Sequence, residues 1–163
     1  IAILNDSKYG VNVSGNSINL TLLRAAQAPD AEADLGQHEF KYALLSWNGS
    51  FLTSPVVRAG HELNCPAVTV RGGAGERSIF TVDEPDVIIE TVKPAEDGSP
   101  DIILRLYEAK HTTARCRLIC SLPVKTAYRT DMLEKEEEPL MVENSRITLD
   151  FRPFEIKTLR LKF

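Results

Sequence analysis

Cys116-Arg117-Leu118-Ile119-Cys120-Ser121-Leu122 places a small or apolar side chain at every even position, with Arg117 and Ser121 between them. A period of two sends successive side chains to opposite faces, the mark of a half-buried strand in an antiparallel sheet. The same pattern recurs outward in both directions. Ile102, Leu104 and Leu106 stand against Arg105 and Tyr107, and Ile147, Leu149 and Phe151 against Thr148 and Asp150. Phe80 with Val82 and Val87 with Ile89 add shorter runs. Nearer the start, Ile18, Leu20 and Leu22 alternate with Asn19 and Thr21, and His38, Phe40, Tyr42 and Leu44 with Glu39 and Lys41. In the last run Ile156 is out of phase with Leu159, Leu161 and Phe163, which predicts a bulge or a change of sheet near Lys157 and Thr158. No segment of helical length shows a 3.6-residue period. The fold class is therefore all-β, an antiparallel β-sandwich.

Turn chemistry falls between these runs. Ser14-Gly15-Asn16 can join Val11–Val13 to Ile18–Leu22 as a tight hairpin. Arg71-Gly72-Gly73-Ala74-Gly75-Glu76 and Glu96-Asp97-Gly98-Ser99-Pro100 each separate two strand runs. The stretch VRAGHELNCP within Val57–Pro66 reads as a polar link, and divides the chain into residues 1–60 and 61–163. The second piece carries some seven strand signals, enough for a sandwich. The first has too few to bury much core alone and is expected to lean on other chain.

The 163 residues are 43% hydrophobic and 26% charged, ordinary for a globular protein. A net charge of −4 argues against nucleic acid as a partner. No apolar run approaches the roughly 20 residues that span a bilayer, so no membrane partner is expected. The chain opens on IAIL, already strand-like, with no initiator Met, signal or transit segment, which predicts a piece of a longer protein. Cys116 and Cys120 share one face with Leu118 and Leu122, as buried core thiols do; with Cys65 they favour a reducing, cytoplasmic compartment. Four Asn-x-Ser/Thr sequons, at Asn5, Asn12, Asn19 and Asn48, would matter only in a secreted protein.

Between Leu20–Leu23 and Phe40–Leu45 lies a long loop crowded with Arg24, Gln27, Asp30, Glu32, Asp34, Gln37 and His38. Loops of this length in compact domains are commonly functional. Asp30, Glu32 and Asp34 could supply the paired carboxylates of a glycosidase, or could form a surface turn. Asn5-Asp6-Ser7-Lys8-Tyr9-Gly10 combines amide, carboxylate, ammonium and phenol: groups able to hold sugar hydroxyls and stack on a pyranose, or to make a strand-to-hairpin turn. Gly72–Gly75 could cradle an anion but opens no helix. Cys116, Cys120 and His111 fall short of the four ligands of structural zinc. The run Glu134-Lys135-Glu136-Glu137-Glu138 reads as a solvated loop before Pro139. No GxSxG elbow, Walker loop or HExxH is present.

ILNDSKYG, LTLLRAAQAPDAEADLGQHEFKYALL, DIILRLYEA, TDMLE and the closing RPFEIKTLRL stand in the order and spacing of the C-terminal half of glycoside hydrolase family 38 α-mannosidases. The resemblance runs from Ile3 to Leu161 and departs at Val11, where the family more often carries an aromatic. It implies retaining enzymes that trim mannose from glycans or free oligosaccharides. Their zinc ion and nucleophilic aspartate belong to an N-terminal α/β barrel, followed by a helical bundle and β domains. On that basis residues 1–60 are the last strands of a β-supersandwich, residues 61–163 the terminal sandwich, and neither holds a catalytic or metal-binding residue. The partners implied are the barrel and helical domain of the same protein, and mannose-containing glycans. Asn5, Asp6, Lys8, Tyr9, Asp34 and His38 become candidates for the substrate rim, while Asp30, Glu32 and Asp34 lose their claim as nucleophile and His38 and His111 theirs as zinc ligands. The alternative is an independent carbohydrate-binding sandwich, for which Trp47 is the one aromatic platform outside a strand pattern.

Overall fold

The computed structural model describes residues 1–73 and 75–163; Ala74, inside the Gly72–Gly75 turn considered for anion binding, lies outside the described residues. The chain divides into two compact units, Ile1–Val70 and Arg71–Phe163.

In the first unit β1 (Ala2–Asn5) pairs antiparallel with β4 (Tyr42–Leu45), in the register Ala2↔Leu45 to Asn5↔Tyr42. Between them β2 (Val11–Ser14) and β3 (Ser17–Leu20) form a separate ribbon. Its end is the tight hairpin expected: Ser14 faces Ser17 across two residues, and Gly15 takes a φ of 54°, where a side chain would be strained. A single 3-10 turn (Phe51–Thr53) leads to α1 (Val56–Asn64).

The helix corrects the reading of VRAGHELNCP as a polar link. Val56, Val57, Gly60 and Leu63 fall on one half-buried side while Arg58 and Glu62 face out, and Pro55 stands immediately before the first turn. Nine residues are too few for the period to stand out from a mixed composition. The helix packs on β1, with Leu4 beside Gly60 and the Asn64 side-chain amide donating to the Asn5 carbonyl at 3.2 Å. It thus spans the 60/61 position at which the composition suggested a division, and belongs wholly to the first unit.

The pairing with β1, on which α1 packs, sets the phase of β4. Leu4 faces the helix, so its cross-strand neighbour Ala43, and Leu45 opposite Ala2, are the half-buried residues. Tyr42 and Leu44, read from the sequence as the inward set, are 61% and 73% exposed. His38 to Lys41 lie outside the strand altogether.

The second unit is a sandwich of eight strands. Its five-stranded sheet runs β10-β9-β12-β7-β6 and its three-stranded sheet β11-β8-β5, all pairs antiparallel. The strands are β5 (Phe80–Val82), β6 (Val87–Pro94), β7 (Ile102–Glu108), β8 (Ala114–Cys120), β9 (Thr126–Thr130), β10 (Glu136–Leu140), β11 (Arg146–Phe151) and β12 (Ile156–Lys162). One core joins Leu104, Leu106, Leu159 and Leu161 of the larger sheet to Cys116, Leu118, Ile147 and Leu149 of the smaller. Each fully buried Leu or Ile contributes roughly 1.5–3 kcal/mol. Cys116 and Cys120 are buried free thiols, on the face the alternation assigned them; Cys65 is exposed.

Two expectations fail here. The phase shift in the last strand needs no bulge, because β12 pairs with β7 in unbroken register from Ile156↔Tyr107 to Leu161↔Ile102 and Ile156 points outward. Register shifts fall instead in β6, between Ile89 and Thr91, and in β10, between Glu136 and Glu138. The acidic run is not a loop either. Glu136–Leu140 is a sheet-edge strand, where exposed charges and Pro139 are tolerated because no further strand pairs there. Glu134, just before it, is buried.

Candidate functional site

The six rim candidates lie in the first unit, and the structure gathers only some of them. An open recess of about 610 Å³ is lined by Asp6, His38, Glu39, Phe40 and Lys41. Asp6 closes it from one side: its Oδ1 accepts the Lys41 N–H at 3.0 Å and the Ser7 hydroxyl at 2.9 Å, and its own N–H donates to the Lys41 carbonyl at 3.2 Å. The Lys41 N–H, then the Ser7 hydroxyl, hold the Asp6 carboxyl below the ordinary carboxylate value, so it is an anion at neutral pH. This carboxylate staples the turn after β1 to the segment entering β4.

Asn5 and Lys8 stand behind this wall. Asn5 Oδ1 accepts the Lys8 N–H at 2.7 Å, making the turn that composition suggested, and Lys8 Nζ sits 4.7 Å from the Phe40 ring centre. Tyr9 is 91% exposed and does not line the recess. In the loop, His38 Nε2 donates to the Asp34 carbonyl at 2.9 Å, which fixes the proton on that nitrogen. Asp34 does not line the recess; its Oδ2 accepts the Ala25 N–H at 2.7 Å, where Ala25 holds a φ of 52°. Asp30 Oδ1 accepts the Glu32 N–H at 2.9 Å, an Asx turn. These carboxylates satisfy the loop's own backbone.

Trp47, the platform of the binding-module alternative, is half-buried, and its indole N–H donates to the Ser50 carbonyl at 3.1 Å. Among the described residues no three His, Cys, Asp or Glu side chains gather where they could hold a metal ion. No helix among the described residues is long and apolar enough to cross a membrane.

Sequence reasoning missed Glu108, in the second unit. Its fully buried carboxylate accepts the N–H groups of Lys110 (2.7 Å), His111 (3.0 Å), Thr112 (3.1 Å) and Phe154 (2.8 Å), and the Thr112 hydroxyl (3.0 Å). Burial alone would raise its pKa; the donors, Phe154 foremost, outweigh that and leave it below the ordinary value. The loops it clamps stack His111 on Phe154, ring centres 4.9 Å apart. The signal was present: Glu108 falls on the inward phase of Leu104 and Leu106, where a charge needs an internal partner.

Two family models match the chain. The glycosyl hydrolases family 38 C-terminal domain covers residues 1–32, and the glycosyl hydrolases family 38 C-terminal beta sandwich domain covers residues 86–159. The chain belongs to the C-terminal region of glycosyl hydrolase family 38. It is 43% identical over 99% of its length to alpha-mannosidase 2C1 of Mus musculus and, to the same degree, of Homo sapiens. It is 32% identical over its whole length to an alpha-mannosidase of Saccharomyces cerevisiae. The chain spans 16% of the two mammalian proteins and 17% of the yeast one.

Proposed function

We infer that this chain is the non-catalytic C-terminal β region of a retaining α-mannosidase, and that its first unit completes the rim of an active site carried elsewhere in the protein. The observation that carries the reading is a match over nearly its entire length to proteins named as alpha-mannosidases, of which it spans about a sixth. The zinc ion and nucleophilic aspartate then belong to residues outside this chain, in a barrel and helical domain that are its partners. A retaining mechanism places two carboxyl groups about 5 Å apart across the glycosidic bond. In the first unit Asp6, Asp30 and Asp34 instead accept backbone N–H groups.

The first unit suits a supporting role as the last strands of a larger β domain. Cross-strand pairs Val11↔Leu20 and Val13↔Ile18 put four apolar side chains on one face of the ribbon, and Asn12, Ser14, Ser17 and Asn19 on the other. Isolated two-stranded ribbons are marginal in water, so that face calls for a cover. Tyr42 and Leu44 leave a second such face on the β1–β4 pair. The Asp6–His38 recess is the part suited to meet mannose-containing substrate. Trp47, tied to Ser50, is poorly placed to serve an independent carbohydrate-binding sandwich. The free thiols fit a cytoplasmic protein.

In the full-length enzyme, Asp6→Ala is expected to raise KM for a mannose oligosaccharide about tenfold while largely sparing kcat, as loss of a charged positioning contact does. Unchanged kinetics would refute the rim role. The 163-residue chain alone should not hydrolyse an aryl α-mannoside with zinc added; turnover would overturn the placement of catalysis elsewhere.

A further inference from the structure

We propose that the outer face of the three-stranded sheet carries a binding site for a phosphate-class oxyanion, built from Arg115, Arg117 and Arg146. These arginines line a recess of about 350 Å³ together with Glu143, Asn144 and Thr148. The lining carries three guanidinium groups and one carboxylate, and of the three only Arg117 is closely paired, by Asp83 from outside the recess.

The register explains how they meet. Arg115 and Arg117 are two apart on β8 and share its outward face; Thr148 of β11 lies directly opposite Arg117, and Arg146, opposite Ile119, is its diagonal neighbour. Like charges so placed repel, and nothing in the core requires them there. Arg117 is held by Asp83, through Nε to Oδ2 at 2.6 Å and its backbone N–H to Oδ1 at 2.7 Å. Arg115 meets Asp150 only at 3.6 Å, with both side chains about three-quarters exposed, a pair of little strength. The Arg146 guanidinium has no hydrogen-bond or ion-pair partner among the described residues.

The far wall is rigid. Glu143 and Arg146 exchange backbone hydrogen bonds at 3.0 and 2.9 Å around Asn144 and Ser145, both with left-handed φ (51° and 58°), as in a type I′ turn. The Ser145 carbonyl accepts the Cys120 N–H at 3.0 Å and its hydroxyl the Val124 N–H at 3.1 Å, which anchors the turn to the end of β8. Unsatisfied guanidinium donors beside a hydroxyl and an amide, on a fixed frame, match a tetrahedral oxyanion that can take parallel N–H···O bonds. No aromatic side chain lines the recess to stack a base, which favours a phosphate group over a nucleic acid strand.

The test is a titration of the full chain with inorganic phosphate at constant ionic strength, read from the arginine Nε–H resonances by NMR. Saturable shifts confined to Arg115, Arg117 and Arg146 are expected, weakened about tenfold in Arg146→Gln and in Arg115→Gln. Arg152→Gln, outside this recess, should bind as the parent does. A parallel titration with mannose 6-phosphate, against mannose, separates a sugar phosphate from the free ion: tighter binding assigns the former, equal binding the latter. Shifts matched by chloride at equal ionic strength, or undiminished in both Arg146→Gln and Arg115→Gln, would overturn the site.

Discussion

Glu108 and Phe154, 46 residues apart in the chain, are joined by a hydrogen bond of 2.8 Å from the Phe154 N–H to the buried Glu108 Oε2. Through it the end of β7 fixes the turn that launches β12, and the same carboxylate holds the loop from Lys110 to Thr112. Replacing it by an amide removes one acceptor oxygen and sets an NH₂ group against backbone donors. Glu108→Gln is expected to destabilise the second unit by about 2–3 kcal/mol, measured by urea denaturation. A loss below about 0.5 kcal/mol would mean that the clamp contributes little.

Acid should weaken the sandwich through several carboxylates at once. The Arg160 guanidinium, then the Ser99 N–H, hold Asp97 well below its usual range; the Glu96 N–H, then Lys93, lower Glu134; and Glu108 is lowered as above. A folded-state pKa below the unfolded value stabilises the protein above the unfolded pKa, and that contribution disappears as pH falls through the folded one. The contribution of these groups is therefore complete at neutral pH and declines below about pH 4.5, the ordinary glutamate value. Glu108→Gln should flatten the decline. Equal stability at about pH 7 and about pH 3 would contradict the assignment.

Thiol reactivity should separate the three cysteines. Burial, then the nearby carboxylate of Asp83, pushes the Cys116 thiol up to about 11, and burial also raises Cys120. Cys65 is exposed. Iodoacetamide on the native protein in mild alkali should label Cys65 alone, by mass spectrometry, and all three cysteines only after denaturation. Rapid native labelling of Cys116 would show that the core opens readily.

The Asp34 carboxylate should hold the long loop rather than perform chemistry. Asp34→Ala removes the acceptor for the Ala25 N–H and is expected to speed hydrogen exchange at Ala25 about tenfold, leaving the exchange of β7 and β12 unchanged. Exchange at Ala25 no faster than in the parent would show that the loop is held by other contacts.

Much of the second unit was legible because its strands are half-buried and antiparallel. Cys116, Leu118, Ile147, Leu149, Leu159 and Leu161 all fall on the core side that their alternation predicts. The edge strand Glu136–Leu140 was not legible, since four of its five residues are exposed and no buried set imposes a period. Of the rim candidates, Asp6 and His38 share the recess; Asn5 and Lys8 shape the turn behind it, Asp34 serves Ala25, and Tyr9 stands clear. Sequence proximity could nominate these residues, but only the β1–β4 pairing brings Asp6 against Lys41.

The amino-acid sequence by itself determined the all-β class, the Ser14–Ser17 hairpin, the buried pair Cys116 and Cys120 and the family resemblance. Each of these depends on neighbours within a few residues, or on the order of motifs along the chain. Tertiary structure alone decided which side of β4 is covered: α1 packs on β1 beside Leu4, whose cross-strand neighbour Ala43 is half-buried, while Tyr42 and Leu44 on the other face are exposed. It also decided that a glutamate can occupy an inward position, since Phe154 comes from far along the chain to solvate it. Alternation shows that a strand has two faces; which one is buried depends on what packs against it.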